Sequence, residues 1–314
     1  MRNTRIILTA ILAFASIQLN AQQAKEGDIF NIKKFTAHDK HYFIDLILND
    51  SVSTIGIISS IDTFVIAKDF YLKHINSFNM EINPSPNQLD SLRAGYIKNY
   101  YSKGKIKLGA NTYYHGPIVI AKKILFNSNL VFPLSRIYNA KDSSRIIHIN
   151  FPKKKLQTLS RKDLEETSLR KFKKYPMLHG PKEHNYSIET TFYVANKIGF
   201  EKNMTGRFGF NIAYSGTVVL NTKRKKVFDF VYATLPCFDM VDFSNEKKGL
   251  RYFGFLPYKA GICDVELGQI TIGTLETDKQ DICSNEFDGV IGTRFLGYYD
   301  CIFDFDKLDF YINN

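Results

Sequence analysis

Apolar and polar residues alternate in short runs along most of this chain. Lys40 to Leu48 (KHYFIDLIL), Thr54 to Ser59 (TIGIIS), Arg145 to Phe151 (RIIHINF), Ile188 to Ala195, Arg207 to Tyr214 and Thr217 to Asn221 read as strands, and polar turns such as Asn49-Asp50-Ser51 separate them. Helical spacing is scarcer. Ile61 to Ile66 runs into Ala67 to Phe78, a helix candidate with apolar residues at Phe70, Leu72, Ile75 and Phe78, and a second helix fits Gln88 to Tyr101 after the breaker Pro84-Ser85-Pro86. Lys105 to Leu108 and Pro117 to Ile120 flank Gly109 to Gly116, a hairpin-like loop carrying Tyr113 and Tyr114. Near the end, Val290-Ile291-Gly292 leads into an apolar-rich helical stretch, and Cys301-Ile302-Phe303-Asp304-Phe305 alternates again. The pattern predicts an all-β fold, β-rich with a few short helices. Phe (26) and Tyr (18) are abundant and Trp is absent, as suits half-buried strands.

The pattern also repeats. A shift of 154 positions lays Thr63 on Thr217, Val65 on Val219, Ile66 on Leu220, Ile149 on Phe303, Asn150 on Asp304, Phe151 on Phe305 and Lys153 on Lys307. A duplication implies two similar lobes. Between them the chain turns polar and basic, and Pro176, Gly180 and Pro181 punctuate its end. The predicted division is a first lobe at 27–157, a basic linker at 158–184 and a second lobe at 185–314.

Residues 1–21 have the layout of a secretory signal peptide: Arg2 and Arg5, the apolar run Ile6 to Ile17, and Ala21 before the cut. An exported protein, periplasmic or secreted, is expected. The apolar run is shorter than a bilayer requires, and no later run is long enough, so no transmembrane segment is expected after cleavage. Loss of Arg2 and Arg5 lowers the formal charge from +11 to +9. Most of the excess crowds between Lys153 and Lys182, with no nucleic-acid-binding module beside it, so a solvated connector is the expectation. Cys237, Cys263, Cys283 and Cys301 could form one or two disulfides in an exported chain or stay as buried thiols. There is no C-x-x-C pair and no histidine pair at ligand spacing, the seven histidines are scattered, and no cofactor motif stands out, so no metal or cofactor is expected.

The stretch Glu286 to Ile312, with its glycine-closed Val290-Ile291-Gly292, resembles the aspartic peptidase-like superfamily, retropepsins and two-lobed pepsins together, and most of all retropepsin-like proteins of Bacteroidetes-type bacteria. That resemblance implies two acid-protease-like β-barrel lobes facing across a cleft, each supplying one Asp from an Asp-Thr/Ser-Gly loop. The pair shares a proton and activates a water. In the second lobe Phe208-Gly209-Phe210-Asn211-Ile212-Ala213-Tyr214-Ser215-Gly216-Thr217 is similar to the family's strand and loop, with Asn211 in the place of the Asp. An amide cannot act as the base near neutral pH. In the first lobe the constant shift selects Ile57 and the family's spacing selects Ile58, followed by Ser59 and Ser60. The nearby acid is Asp62, in Asp62-Thr63-Phe64, where Phe64 replaces the glycine. Asp288 is expected to be a structural hydrogen-bonding residue, Asp304 and Asp306 to face solvent, and His148 to be an ordinary strand histidine.

The leading expectation is therefore a pseudo-peptidase that binds a peptide or an envelope protein partner, with Ser59, Ser60, Tyr113, Tyr114, Tyr214 and Thr217 at the cleft or on a flap over it. The alternatives are an active aspartic-type endopeptidase using Asp62, and an assembly role with the cleft filled by side chains.

Overall fold

The computed structural model describes residues 28–34, 42–60, 62–85, 87, 89, 100–124, 128–180, 186–212, 217–234, 237–242, 253–257, 259–267, 272–274 and 286–313. The first lobe runs through β1 (Ile29–Lys34), β2 (Tyr42–Leu48), β3 (Val52–Ser59), β4 (Phe64–Ala67), β5 (Tyr100–Lys107), β6 (Thr112–Ala121), β7 (Leu130–Pro133), β8 (Ile146–Asn150) and β9 (Lys155–Leu159). The second lobe repeats the series as β10 (Phe172–His179), β11 (Tyr186–Ala195), β12 (Glu201–Asn211), β13 (Val218–Leu220), β14 (Phe253–Pro257), β15 (Ile272–Thr274), β16 (Gly289–Gly292), β17 (Asp300–Asp304) and β18 (Asp309–Asn313). Among the described residues the α-helices are short: α1 (Lys68–Lys73), α2 (Arg161–Glu166), α3 (Lys225–Ala233) and α4 (Thr293–Leu296).

Alternation explains the strands. Ile44, Leu46 and Leu48 in β2, and Tyr114, Ile118 and Ile120 in β6, point inward at a period of two and are almost wholly buried. The helix expected from Ala67 to Phe78 is shorter, because after α1 the chain tightens into a 3-10 turn at Ile75–Ser77. Of the second expected helix, Tyr100 and Tyr101 belong instead to β5, residue 89 is helical, and the remainder lies outside the described residues.

Each of these first-lobe strands has a counterpart nine places on, the short strands Asn79–Met80 and Ile137–Asn139 standing outside the series. β3 pairs in parallel with β7, β4 antiparallel with β7 and parallel with β6. The second lobe does the same with β12 and β16, β13 and β16, and β13 and β15. The flanking antiparallel pairs also correspond: β1–β2 with β10–β11, β2–β3 with β11–β12, and β5–β6 with β14–β15. The lobes are joined by a six-stranded sheet in the order β1-β9-β8-β17-β18-β10. At its centre β8 lies antiparallel to β17, with His148 opposite Ile302. Those two residues are themselves counterparts under the 154 shift, so a pseudo-twofold axis passes between them. The molecule is thus a two-lobed, β-rich fold of the aspartic-peptidase type.

The segment expected as a basic linker, 158–184, is described as far as residue 180. It contains α2, with the Ser160 side chain and Asp163 forming a reciprocal cap, and then β10. β10 is the counterpart of β1: Phe172–Pro176 pair with β18 and Met177–His179 with β11, just as Ile29–Asn31 pair with β9 and Ile32–Lys34 with β2. Its lysines are exposed while its backbone holds the sheet together. Asp304, expected to face solvent, is fully buried and paired with the Arg161 guanidinium, whose Nη2 donates to Oδ1 at 3.1 Å. Asp306 remains partly exposed and pairs with Arg145 at 2.8 Å.

Candidate functional site

β3 and β12 end side by side with their parallel partners. Ser59 stands opposite Pro133, and Asn211 opposite Gly292. The antiparallel neighbours give the same answer, since Phe43 opposite Ile57 matches Ser187 opposite Gly209. Ser59 is therefore the first-lobe counterpart of Asn211. Ile57 and Ile58, the positions expected from the sequence, fall two places and one place short of it in the register, with Ile57 the counterpart of Gly209. The cause is a difference in loop length. Counterparts are 152 residues apart at Ser59 and Asn211 but 154 apart at Val65 and Val219, so the first lobe's loop is two residues shorter.

Ser59 is buried, and Ser60 and Asn211 are half-buried. Thr217 is buried, its carbonyl accepts from Gly292 N–H at 2.8 Å, and its Oγ1 has no hydrogen-bond partner among the described residues. Tyr214 lies outside the described residues, as does Cys283. Asp62 is buried, and one carboxylate oxygen accepts from the Ser135 hydroxyl. Tyr186 is the first residue of β11 in the other lobe. Burial pushes the Tyr186 phenol above its ordinary pKa, and the charge of Asp62 adds to the shift.

Tyr114 belongs to the core and not to a flap. It is fully buried on β6, with its ring 5.1 Å from that of Phe64. Its hydroxyl accepts from Phe64 N–H at 3.3 Å and donates to the Pro117 carbonyl. Burial raises its pKa strongly. Alternation along β6 puts the neighbouring Tyr113 on the opposite, outer face, where its ring stacks on Tyr138 at 5.2 Å.

Asp288 ties strands and helix together in the second lobe. Its Oδ2 accepts from Arg207 N–H at 2.8 Å and pairs with Lys226 at 2.7 Å, and Arg224 Nε lies 2.6 Å from Oδ1. Its first-lobe counterpart is Asn129: Asn129 and Asp288 accept from Ala67 and Asn221 N–H respectively, each at 2.9 Å. Cys237, Cys263 and Cys301 are buried free thiols, and burial raises the pKa of each. His148 Nε2 lies 2.6 Å from Asp300 across the central sheet. No group of His, Cys, Asp and Glu suited to a metal ion occurs among the described residues.

Sequence reasoning passed over Ser135, Tyr186 and the pairing role of Ser59. One signal was available. Leu130-Val131-Phe132-Pro133 is the first-lobe version of Gly289-Val290-Ile291-Gly292, with proline in the place of the closing glycine.

No protein-family model and no curated protein sequence matches the chain. Solved structures do match in shape. Conglutin gamma, a basic 7S globulin from lupine seeds, aligns at a TM-score of 0.52 and 9% identity, covering 91% of this chain and 94% of that one. A structure described as edgp aligns at 0.50 and 9% identity over 92% and 95%. The aspartic proteinase from Irpex lacteus aligns at a TM-score of 0.48 and 8% identity, over 92% of this chain and 97% of that one. The likeness is one of fold.

Proposed function

We propose that this protein is an exported, non-catalytic aspartic-peptidase-like protein whose cleft holds an extended peptide or a strand of an envelope protein partner. One observation carries the reading: the resemblance puts one catalytic aspartate at Asn211, and the strand register makes Ser59 its symmetry mate, so neither position holds a carboxyl. The peptidase reaction needs two carboxyls sharing one proton, one acting as base on a water and the other as acid toward the scissile carbonyl. A hydroxyl and a carboxamide donate and accept hydrogen bonds without changing protonation near neutral pH. They can orient a water or a peptide main chain but cannot drive its cleavage. Holding an extended segment needs only strand-like backbone bonds and side-chain pockets. Export rests on the leader-like residues 1–21.

The test is to incubate the mature chain with a digest of unfolded casein, isolate what stays bound, and sequence it. Bound peptides of unchanged length, lost when Asn211→Trp fills the site, support the reading. Retention that Asn211→Trp leaves untouched, or no retention, removes the binding half. Bound peptides shortened by new cuts remove the non-catalytic half.

A further inference from the structure

A hollow of about 670 Å³ opens on the first lobe away from Ser59. Ser51 lies on its rim and β3 runs from there to Ser59, so roughly 25 Å of strand separates hollow from cleft at about 3.3 Å per residue. Its walls carry Asn49, Asn76, Asn79, Lys105, Lys107 and Tyr113; among the described residues no wall residue is acidic, the Asp50 carboxylate standing beside the hollow against Lys107.

The walls are held before any ligand arrives. Asn49 and Asp50 sit in the left-handed region at φ 46° and 59°, making the tight β2–β3 turn. Asn49 clamps that turn to β5: its N–H donates to the Lys107 carbonyl and its Oδ1 accepts from Lys107 N–H, each at 2.9 Å. Its Nδ2 donates to the Ser77 carbonyl. Tyr113 is fixed by its stack on Tyr138 and by Ser143 Oγ at 3.2 Å, and Lys105 Nζ lies 4.1 Å over its ring. Lys107 is shared with Asp50 at 2.6 Å, an exposed pair of little energy that a ligand anion can readily join.

We propose that this hollow binds an acidic saccharide, a sugar ring bearing a carboxylate. Its volume falls in the range of small-molecule sites, roughly 300–1,000 Å³. The two ammonium groups meet the carboxylate, and the exposed amides of Asn76 and Asn79 donate to and accept from ring hydroxyls, which a lipid or an apolar peptide could not satisfy. The site is independent of the cleft.

The experiment titrates the mature full-length chain with glucuronate, glucose and inorganic phosphate by ligand-observed NMR. Glucuronate is expected to bind, more weakly as salt rises, and better than either of the other two. Lys105→Gln, an exposed change compatible with folding, is expected to weaken it roughly tenfold, the value of one charge-assisted hydrogen bond. Asn211→Trp is expected to leave it unchanged. Equal binding of glucose, phosphate binding as tight as glucuronate, no binding of glucuronate, or indifference to Lys105→Gln would each overturn the proposal.

Discussion

Where β3 ends at Ser59 the chain takes six residues to reach Val65, and where β12 ends at Asn211 it takes eight to reach Val219. Several details elsewhere agree between the lobes. Lys154 and Leu308, counterparts after the eighth strand of each lobe, both adopt left-handed backbone at φ 55° and 54°. Their carbonyls accept from Ile32 and Met177 N–H, counterparts again, at 2.9 and 2.6 Å. Asn150 and Asp304 each accept from the residue three along, Lys153 and Lys307, at 2.9 and 3.1 Å. Tyr42 packs on Phe151 at 4.6 Å, and Tyr186 on Phe305 at 4.9 Å. The scaffold is thus specified by apolar strand residues and turn residues, and the positions where the chemistry would stand are free to diverge.

The comparison breaks first if the lobes are separate folding units. Phe132 in β7 and Phe208 in β12 are both fully buried, so truncating either to Ala costs about 3–5 kcal/mol. Because β8 and β17 pair within one sheet, each variant is expected to lower a single denaturant transition seen by all probes. Two transitions, with each variant moving only its own, would show that the shared sheet does not couple the lobes.

A smaller effect sharpens the comparison at Asn150 and Asp304. Arg161→Ala strands the buried Asp304 carboxylate and is expected to cost about 3 kcal/mol, the low end for a broken buried pair because the arginine is partly exposed. Asn150→Ala in the first lobe is expected to cost only about 1 kcal/mol, since it removes one turn hydrogen bond. Equal losses, read from urea midpoints, would contradict the asymmetry.

Smaller again are the left-handed turns. Lys154→Gly relieves an unfavourable backbone and is expected to stabilise by about 0.5 kcal/mol after the added unfolded-state entropy. Leu308→Gly is expected to destabilise instead, because Leu308 packs on the core.

The alkaline limb separates nothing between the lobes and so tests their similarity. Burial raises the phenol pKa of Tyr42 and of its counterpart Tyr186, as it does that of Tyr114. A folded pKa above the unfolded value of about 10 gives stability that is complete below that pH and lost as pH rises through the folded values. Ultraviolet titration should show these three phenols ionising only as the chain unfolds. Full ionisation with the fold intact would refute it.

The second lobe was legible in the sequence because its glycine-closed Val290-Ile291-Gly292 and the frame around Asn211 keep the family's spacing. The first lobe was harder, since Pro133 replaces the closing glycine and the shortened loop shifts a constant alignment off Ser59 onto an isoleucine. β10 was read as a connector because Met177 is its one fully buried residue, and the strand is held by backbone bonds to two sheets that no side-chain period reveals. Tyr114 reads as a loop residue because Gly109 and Gly116 bracket it, although the alternation through Thr112, Tyr114 and Ile118 places it inward. Asp304 could not be recognised as buried without its partner Arg161, 143 residues away.

The most direct measurement is a peptidase assay of the mature protein at acid pH against an unfolded protein substrate, with and without a pepstatin-type inhibitor, beside an Asp62→Asn variant. With Ser59 and Asn211 in place of an acid pair, the expected result is no inhibitor-sensitive cleavage in either protein. Cleavage that the inhibitor stops and that Asp62→Asn abolishes would show that the carboxylate beside Ser135 does the work here assigned to none.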